Sequence, residues 1–266
     1  MIRCAHGLGL GLSLLLSAST TFAQNTSDQQ PREPIPPVTD ADRRAAFPEG
    51  LEGHVTHERG VAAFVLFDQF EWQGGEEGGL SIDNKTWIGG DINRLWLRAE
   101  GESTAGRPEN AQVHAMYGRS ISRWWDVLAG VRHDFQPGPS QAWLAVGMQG
   151  LAPQWFEVEA TAYFGRAART HFRFEVEYEL LLTNRLVLQP LIETEIYGKD
   201  DPVRRIGAGL SSIDAGLRLR YEFRRELAPY VGLVWHRALF GSADYARADG
   251  EEVGTTRLAV GIRTWF

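Results

Sequence analysis

From Val61 to Phe266 the chain reads as a series of runs in which apolar and polar residues alternate, separated by clusters of turn-forming residues. Over 170–182, Phe172, Phe174, Val176, Tyr178 and Leu180 alternate with His171, Arg173, Glu175, Glu177 and Glu179. Over 209–223, Ile213, Ala215, Leu217, Leu219, Tyr221 and Phe223 alternate with Asp214, Arg218, Arg220 and Glu222. The stretches 154–165 and 186–197 repeat the arrangement. A period of two puts successive side chains on opposite faces of a β-strand. The pattern predicts twelve strands, near 61–72, 81–89, 92–102, 110–120, 124–135, 141–150, 154–165, 170–182, 186–197, 209–223, 228–237 and 255–266.

The connections alternate in length. Short ones fall at Gly89-Gly90-Asp91, Ser122-Arg123, Ala152-Pro153, Thr183-Asn184-Arg185 and Arg224-Arg225-Glu226, and longer ones near 73–80, 103–109, 136–140, 166–169, 198–208 and 238–254. Short periplasmic turns opposite longer outer loops are the habit of outer-membrane barrels, and a periplasmic C-terminus then requires an even strand count. The final run, 257–266, sends Leu258, Val260, Ile262 and Phe266 one way and Arg257, Gly261 and Arg263 the other, and it closes on an aromatic. Aromatics near predicted strand ends, Trp87, Trp124, Trp155, Trp235 and Phe266, read as membrane-interface girdles. A soluble sandwich would carry the same alternation with its charges outward, so the aromatic ends decide for an all-β, transmembrane antiparallel barrel. A charge facing lipid at mid-bilayer costs about 2–4 kcal/mol for Lys or Arg, so the charged set must face the lumen. Pro190 sits inside a predicted strand, where it removes one ladder bond, and predicts a local bulge or bend.

The N-terminus adds a compartment. Arg3, an apolar core from Leu8 to Leu16 and Thr21-Phe22-Ala23 before Gln24 predict a signal peptide over 1–23. Residues 24–60 predict a flexible periplasmic segment, Pro-rich at Pro31, Pro34, Pro36 and Pro37, and 61–266 the barrel. The only cysteine, Cys4, lies in the leader, which excludes disulfides and thiolate metal sites from the rest. A net charge of −7 at pH 7 argues against nucleic acid as a partner and suits a cation path.

The inward face holds the candidate chemistry. Glu157, Glu159, Glu175, Glu177, Glu193 and Glu195 gather on neighbouring strands with Glu179, Asp214 and Glu222, opposite Arg173, Arg218 and Arg220; Arg94, Arg98, Glu100 and Glu102 add to the set. In a narrow barrel such charges either pair and fill the interior or present a cation-binding surface. His54 and His57 form a His-x-x-His pair before the first strand, and imidazole suits Cu(II), Zn and Ni. His114 and Met116 share a strand face, a thioether–imidazole combination that suits Cu(I); Met148, His171 and His236 are further candidates. There is no Gly-x-Ser-x-Gly, Gly-rich phosphate loop or His-Glu-x-x-His, so no enzyme is expected.

Five blocks resemble one family. They are Trp87–Leu97 (WIGGDINRLWL), Gly150–Tyr163 (GLAPQWFEVEATAY), Glu177–Thr183 (EYELLLT), Tyr197–Pro202 (YGKDDP) and Gly216–Glu222 (GLRLRYE). Together they resemble the copper-resistance protein B family of outer-membrane proteins, over about His54 to Phe266. The resemblance implies a barrel among outer-membrane lipid that binds copper ions and exports or sequesters them, with a periplasmic multicopper oxidase as a companion. It also implies a Met- and His-rich N-terminal segment, from which this chain departs: residues 24–53 contain neither residue. A role at the barrel or its periplasmic mouth, with His54, His57, His114 and Met116 as copper ligands, is the expectation left.

Overall fold

The computed structural model describes residues 37–46, 60–75 and 78–266. The expected signal peptide and the His54/His57 pair lie outside the described residues. Within the expected flexible segment, residues 40–46 form a short helix, α1 (Asp40–Ala46). Thr39 starts it: its backbone N–H donates to Asp42 Oδ2 at 2.8 Å, and Asp42 N–H donates back to Thr39 Oγ1 at 3.2 Å. The Thr39 hydroxyl also donates to Asp42 Oδ2 at 2.7 Å, and that bond, with the backbone N–H bond, holds the Asp42 carboxyl below its usual range.

The strands are β1 (Ala62–Gln73), β2 (Gly79–Gly89), β3 (Asn93–Thr104), β4 (Arg107–Ser120), β5 (Trp125–Gln136), β6 (Gln141–Leu151), β7 (Glu157–Gly165), β8 (Thr170–Glu177, resumed at Leu180–Leu181), β9 (Leu186–Tyr197), β10 (Gly209–Tyr221), β11 (Leu227–Ala238) and β12 (Gly254–Trp265). Each pairs antiparallel with its chain neighbour, and β12 pairs with β1, which closes a twelve-stranded barrel. Closure leaves no free sheet edge, as hydrocarbon demands. No helix among the described residues is long and apolar enough to cross a membrane.

Facing follows the sequence parity. Leu144, Val146, Ile192, Val231, Leu258 and Val260 lie exposed on the outer surface, the apolar band that meets lipid. Trp155 and Phe266 are exposed at the end where β1 begins, and Trp155 meets Trp124 edge-on at 5.5 Å, as a girdle would. Trp87 does not join them. It points into the lumen, stacked with Phe64 at 6.1 Å and tilted against Trp96 at 6.4 Å, because it falls on the same parity as Asp83 and Lys85.

Two further expectations change, and one long connection carries a helix. The connection near 103–109 is a tight turn at Ala105 and Gly106, with φ of +50° and +75°. Two positive-φ residues match the twist of paired strands, and Gly106 takes its place without strain. Pro190 makes no bulge: Leu191 faces Glu177 and Leu188 faces Leu180, an unbroken register. Pro190 O accepts from Tyr178 N–H at 3.1 Å, so its missing N–H faces the same strand, and β8 is interrupted there. The long connection 239–253 holds a helix, α2 (Phe240–Asp249), ended by Gly250 in the left-handed conformation.

A true bulge lies in β1. Phe67 faces Asn84 and Gln69 faces Asp83, leaving Asp68 as the extra residue. Asp68 swings inward to Arg263 Nε at 2.6 Å, and the Asn84 side-chain amide donates to Leu66 O at 3.0 Å on the lipid side.

Candidate functional site in the barrel lumen

Two chambers occupy the lumen. The one nearer the short turns, about 270 Å³, is lined by Phe64, Leu66, Trp87 and Trp96 with Lys85, Arg98, Glu157, Glu159 and Glu175. The one nearer the long loops, about 230 Å³, is acidic: Asp83, Glu100, Glu102, Glu175, Glu193, Glu195 and Asp214 line it against Arg173, Arg218 and His236. Glu175 lines both chambers.

The expected carboxylates face this lumen, and five of the six have a side-chain partner there, on the adjacent strand or across the barrel. Arg98 binds Glu159 and reaches Gln149 Oε1 at 2.6 Å. Arg173 spans Glu100 Oε2 at 2.6 Å and Glu193 Oε2 at 2.7 Å. Glu177 accepts from Gln189 Nε2 at 2.6 Å, and Glu195 Oε1 lies 3.4 Å from His171 Nε2. Glu157 and Glu177 have no ion-pair partner among the described residues, and the other four do. These are charge-assisted bonds, so much of the lumen is a cross-linked interior.

Sequence parity missed part of the lattice. Asp68 and Glu71 are three apart, so the bulge hides that both face inward. Arg218 holds Glu71 through Nε–Oε2 and Nη2–Oε1 contacts of 2.9 Å each, and Tyr230 Oη donates to Glu71 Oε2 at 2.8 Å. An acidic pair at that spacing between apolar residues is the signal that marks the irregularity.

His114 and Met116 are brought inward on β4. His114 stands between Arg98 of β3 and Arg132 of β5. It is 2 % exposed, its ring meets Tyr163 edge-on at 5.8 Å, and neither Nδ1 nor Nε2 has a hydrogen-bond partner. Both flanking arginines are engaged elsewhere, Arg98 by Glu159 and Arg132 Nε by Asp134 Oδ1 at 2.5 Å. Met116 is fully buried with Leu128, Trp143, Ala145 and Tyr163. The other candidates separate: His171 is stacked between Tyr163 at 4.9 Å and Tyr197 at 4.2 Å, His236 Nδ1 meets Asp214 Oδ1 at 2.6 Å, and Met148 faces outward. Among the described residues no three His, Cys, Asp or Glu side chains are placed to hold one metal ion.

The loop end is covered on one side. Gly207 N–H donates to Ser242 Oγ at 2.8 Å, which lies 2.6 Å from Ser211 Oγ, and seats α2 on β10. Arg205 of the 198–208 loop pairs with Asp249 and lies over Tyr245 of α2 at 5.0 Å.

The chain is similar to known proteins in both sequence and fold. The family described as Copper resistance protein B precursor (CopB) matches residues 61–266. A copper resistance protein B homolog of Pseudomonas syringae pv. tomato is 50 % identical over 270 residues, covering 100 % of this chain and 92 % of the relative. Copper resistance protein B of Escherichia coli is 42 % identical over 259 residues, covering 96 % and 87 %. Among solved structures, the NanC porin superposes with a TM-score of 0.52 at 13 % identity, over 76 % of this chain and 99 % of the porin, a likeness of fold alone. The chain therefore belongs to the copper resistance protein B family and has a role in copper resistance.

Proposed function

We propose that the chain binds copper within its barrel at the bacterial outer membrane and supports resistance by exporting or sequestering it. Copper is cargo here, held by protein donors. The observation that carries the reading is His114: a buried imidazole with neither nitrogen partnered, on the same inward face as Met116. Leaving a buried polar group unpaired costs about 1–3 kcal/mol, which a soft cation bound at the ring nitrogen would offset. Imidazole with thioether favours Cu(I), and the engaged side chains of Arg98 and Arg132 leave less free positive charge to oppose it. The acidic chamber toward the long loops raises the local concentration of cations. His54 and His57, just ahead of β1 in sequence, serve as the entry site at the periplasmic mouth. A periplasmic multicopper oxidase fits as the companion on that side.

The test is copper binding by the detergent-purified protein, with wild type beside His54→Ala/His57→Ala and His114→Ala/Met116→Leu. Loss of one equivalent in the second variant places copper in the barrel, and loss in the first places it at the mouth. No stoichiometric binding by the wild type returns the protein to a structural or general small-solute barrel with a filled lumen.

A further inference from the structure

The barrier between the two chambers rests on one residue unlike its neighbours. The chain has only two lysines, Lys85 and Lys199, and Lys199 lies in the 198–208 loop. Every other fixed cation facing the lumen is an arginine, and several hold their partners by forks: Arg218 on Glu71, Arg173 between Glu100 and Glu193. Lys85 is held more loosely. Its Nζ is 3.3 Å from Glu175 Oε1 and 4.0 Å from Asp83 Oδ2, while Asp83 Oδ1 is buried with no partner. An ammonium on a four-carbon stem is a compact, rotatable point charge; a guanidinium fork is not.

Its place is also particular. Lys85 lines the turn-end chamber, Asp83 lines the loop-end chamber, and Glu175 lines both. The Lys85–Glu175 contact, joining β2 to β8 across the lumen, thus stands between them, with Arg173 Nη2 3.6 Å from Glu175 on the loop side. We infer that Lys85 is a tethered cation that closes the lumen, its ammonium standing where a small permeating cation would pass between Asp83 and Glu175. The barrel is then a pore stopped by its own side chain, and displacement of that side chain is the step that opens it. Arginine forks on either side keep the surrounding wall rigid while Lys85 moves. The device concerns cations in general and needs no copper.

Planar-bilayer conductance in potassium chloride tests this with the full-length protein. Wild type is expected to conduct little. Lys85→Met is expected to raise conductance about tenfold or more with cation preference, because a unit positive charge about 4 Å from the path is removed while the carboxylates remain. Lys85→Arg is expected to stay near wild type. Lys85→Met leaves Asp83 without its cation and Glu175 with only Arg173 Nη2 at 3.6 Å, so Lys85→Met/Glu175→Gln, which carries less unpaired charge, is measured alongside and is also expected to conduct. The inference is overturned if the folded variants conduct no better than wild type, or if wild type already conducts as well as they do. Because potassium is the probe, failure here leaves the copper reading standing, and failure of copper binding leaves this one standing.

Discussion

Arg218 on β10 grips Glu71 on β1 through two contacts of 2.9 Å, and the side chains are 4 % and 0 % exposed. The partners are 147 residues apart in sequence and meet only because the barrel closes. Removing one member strands the other as a buried charge, so Glu71→Ala is expected to destabilise the barrel by about 3–5 kcal/mol. Glu71→Leu/Arg218→Met, which removes both charges at similar volume, is expected to lie much closer to wild type. Urea unfolding in detergent distinguishes them; equal loss in the two variants would show that the pair is not coupled.

The inward turn of Trp87 is open to spectroscopy. Brominated lipid quenches tryptophans that touch acyl chains. Trp155→Phe, which deletes an exposed girdle ring, is expected to lower the quenched fraction of total fluorescence, and Trp87→Phe to leave the quenched intensity unchanged.

Pro190 offers a test of the ladder. Pro190→Ala supplies the missing donor opposite Tyr178. The added hydrogen bond contributes about 0.5–1.5 kcal/mol, and the loss of proline's restraint on the unfolded chain costs about 0.4–1 kcal/mol. Stability is expected to stay within about 1 kcal/mol of wild type, while the new amide at position 190 is protected from hydrogen exchange. Rapid exchange at that amide would mean the strand break has another cause.

The seat of α2 depends on a bare backbone. A Cβ on Gly207 would lie 2.4 Å from Ser242 N and 2.5 Å from Gly241 C, and neither can yield without moving the helix. Gly207→Ala is expected to lift α2 and speed tryptic cleavage at Arg247, with the strands unaffected. Arg205→Ala removes a solvent-accessible pair with Asp249 and the contact over Tyr245, and is expected to lower stability only modestly.

Much of the architecture was legible because the bilayer tolerates few alternatives. Glu175 and Phe174 cannot exchange faces, since one would then put a carboxylate in lipid. The misreadings have local causes. Trp87 has the composition of a girdle residue but the parity of the lumen, and parity won. Ala105 gives no sign in isolation that it takes positive φ. Helix α2 is short and begins without a side-chain cap, so its alanines and Gly250 are its only sequence signals. For the candidate site, the presence of His114, Met116 and the glutamates on one face was readable, and their partners were not.

Within the chain alone, two-residue periodicity determined most of the facing, the alternating connections determined the strand count and the aromatic strand ends determined the membrane setting, because water and hydrocarbon sort side chains without regard to their distant neighbours. Which carboxylate meets which cation was decided only by tertiary structure. The β1 bulge at Asp68 and the closing register between β1 and β12 place Glu71 under Arg218, closure sets Lys85 of β2 against Glu175 of β8, and the β3–β4 and β4–β5 registers set His114 between two engaged arginines. Those pairings depend on the stagger of strands around a closed ring, a quantity that no single strand carries.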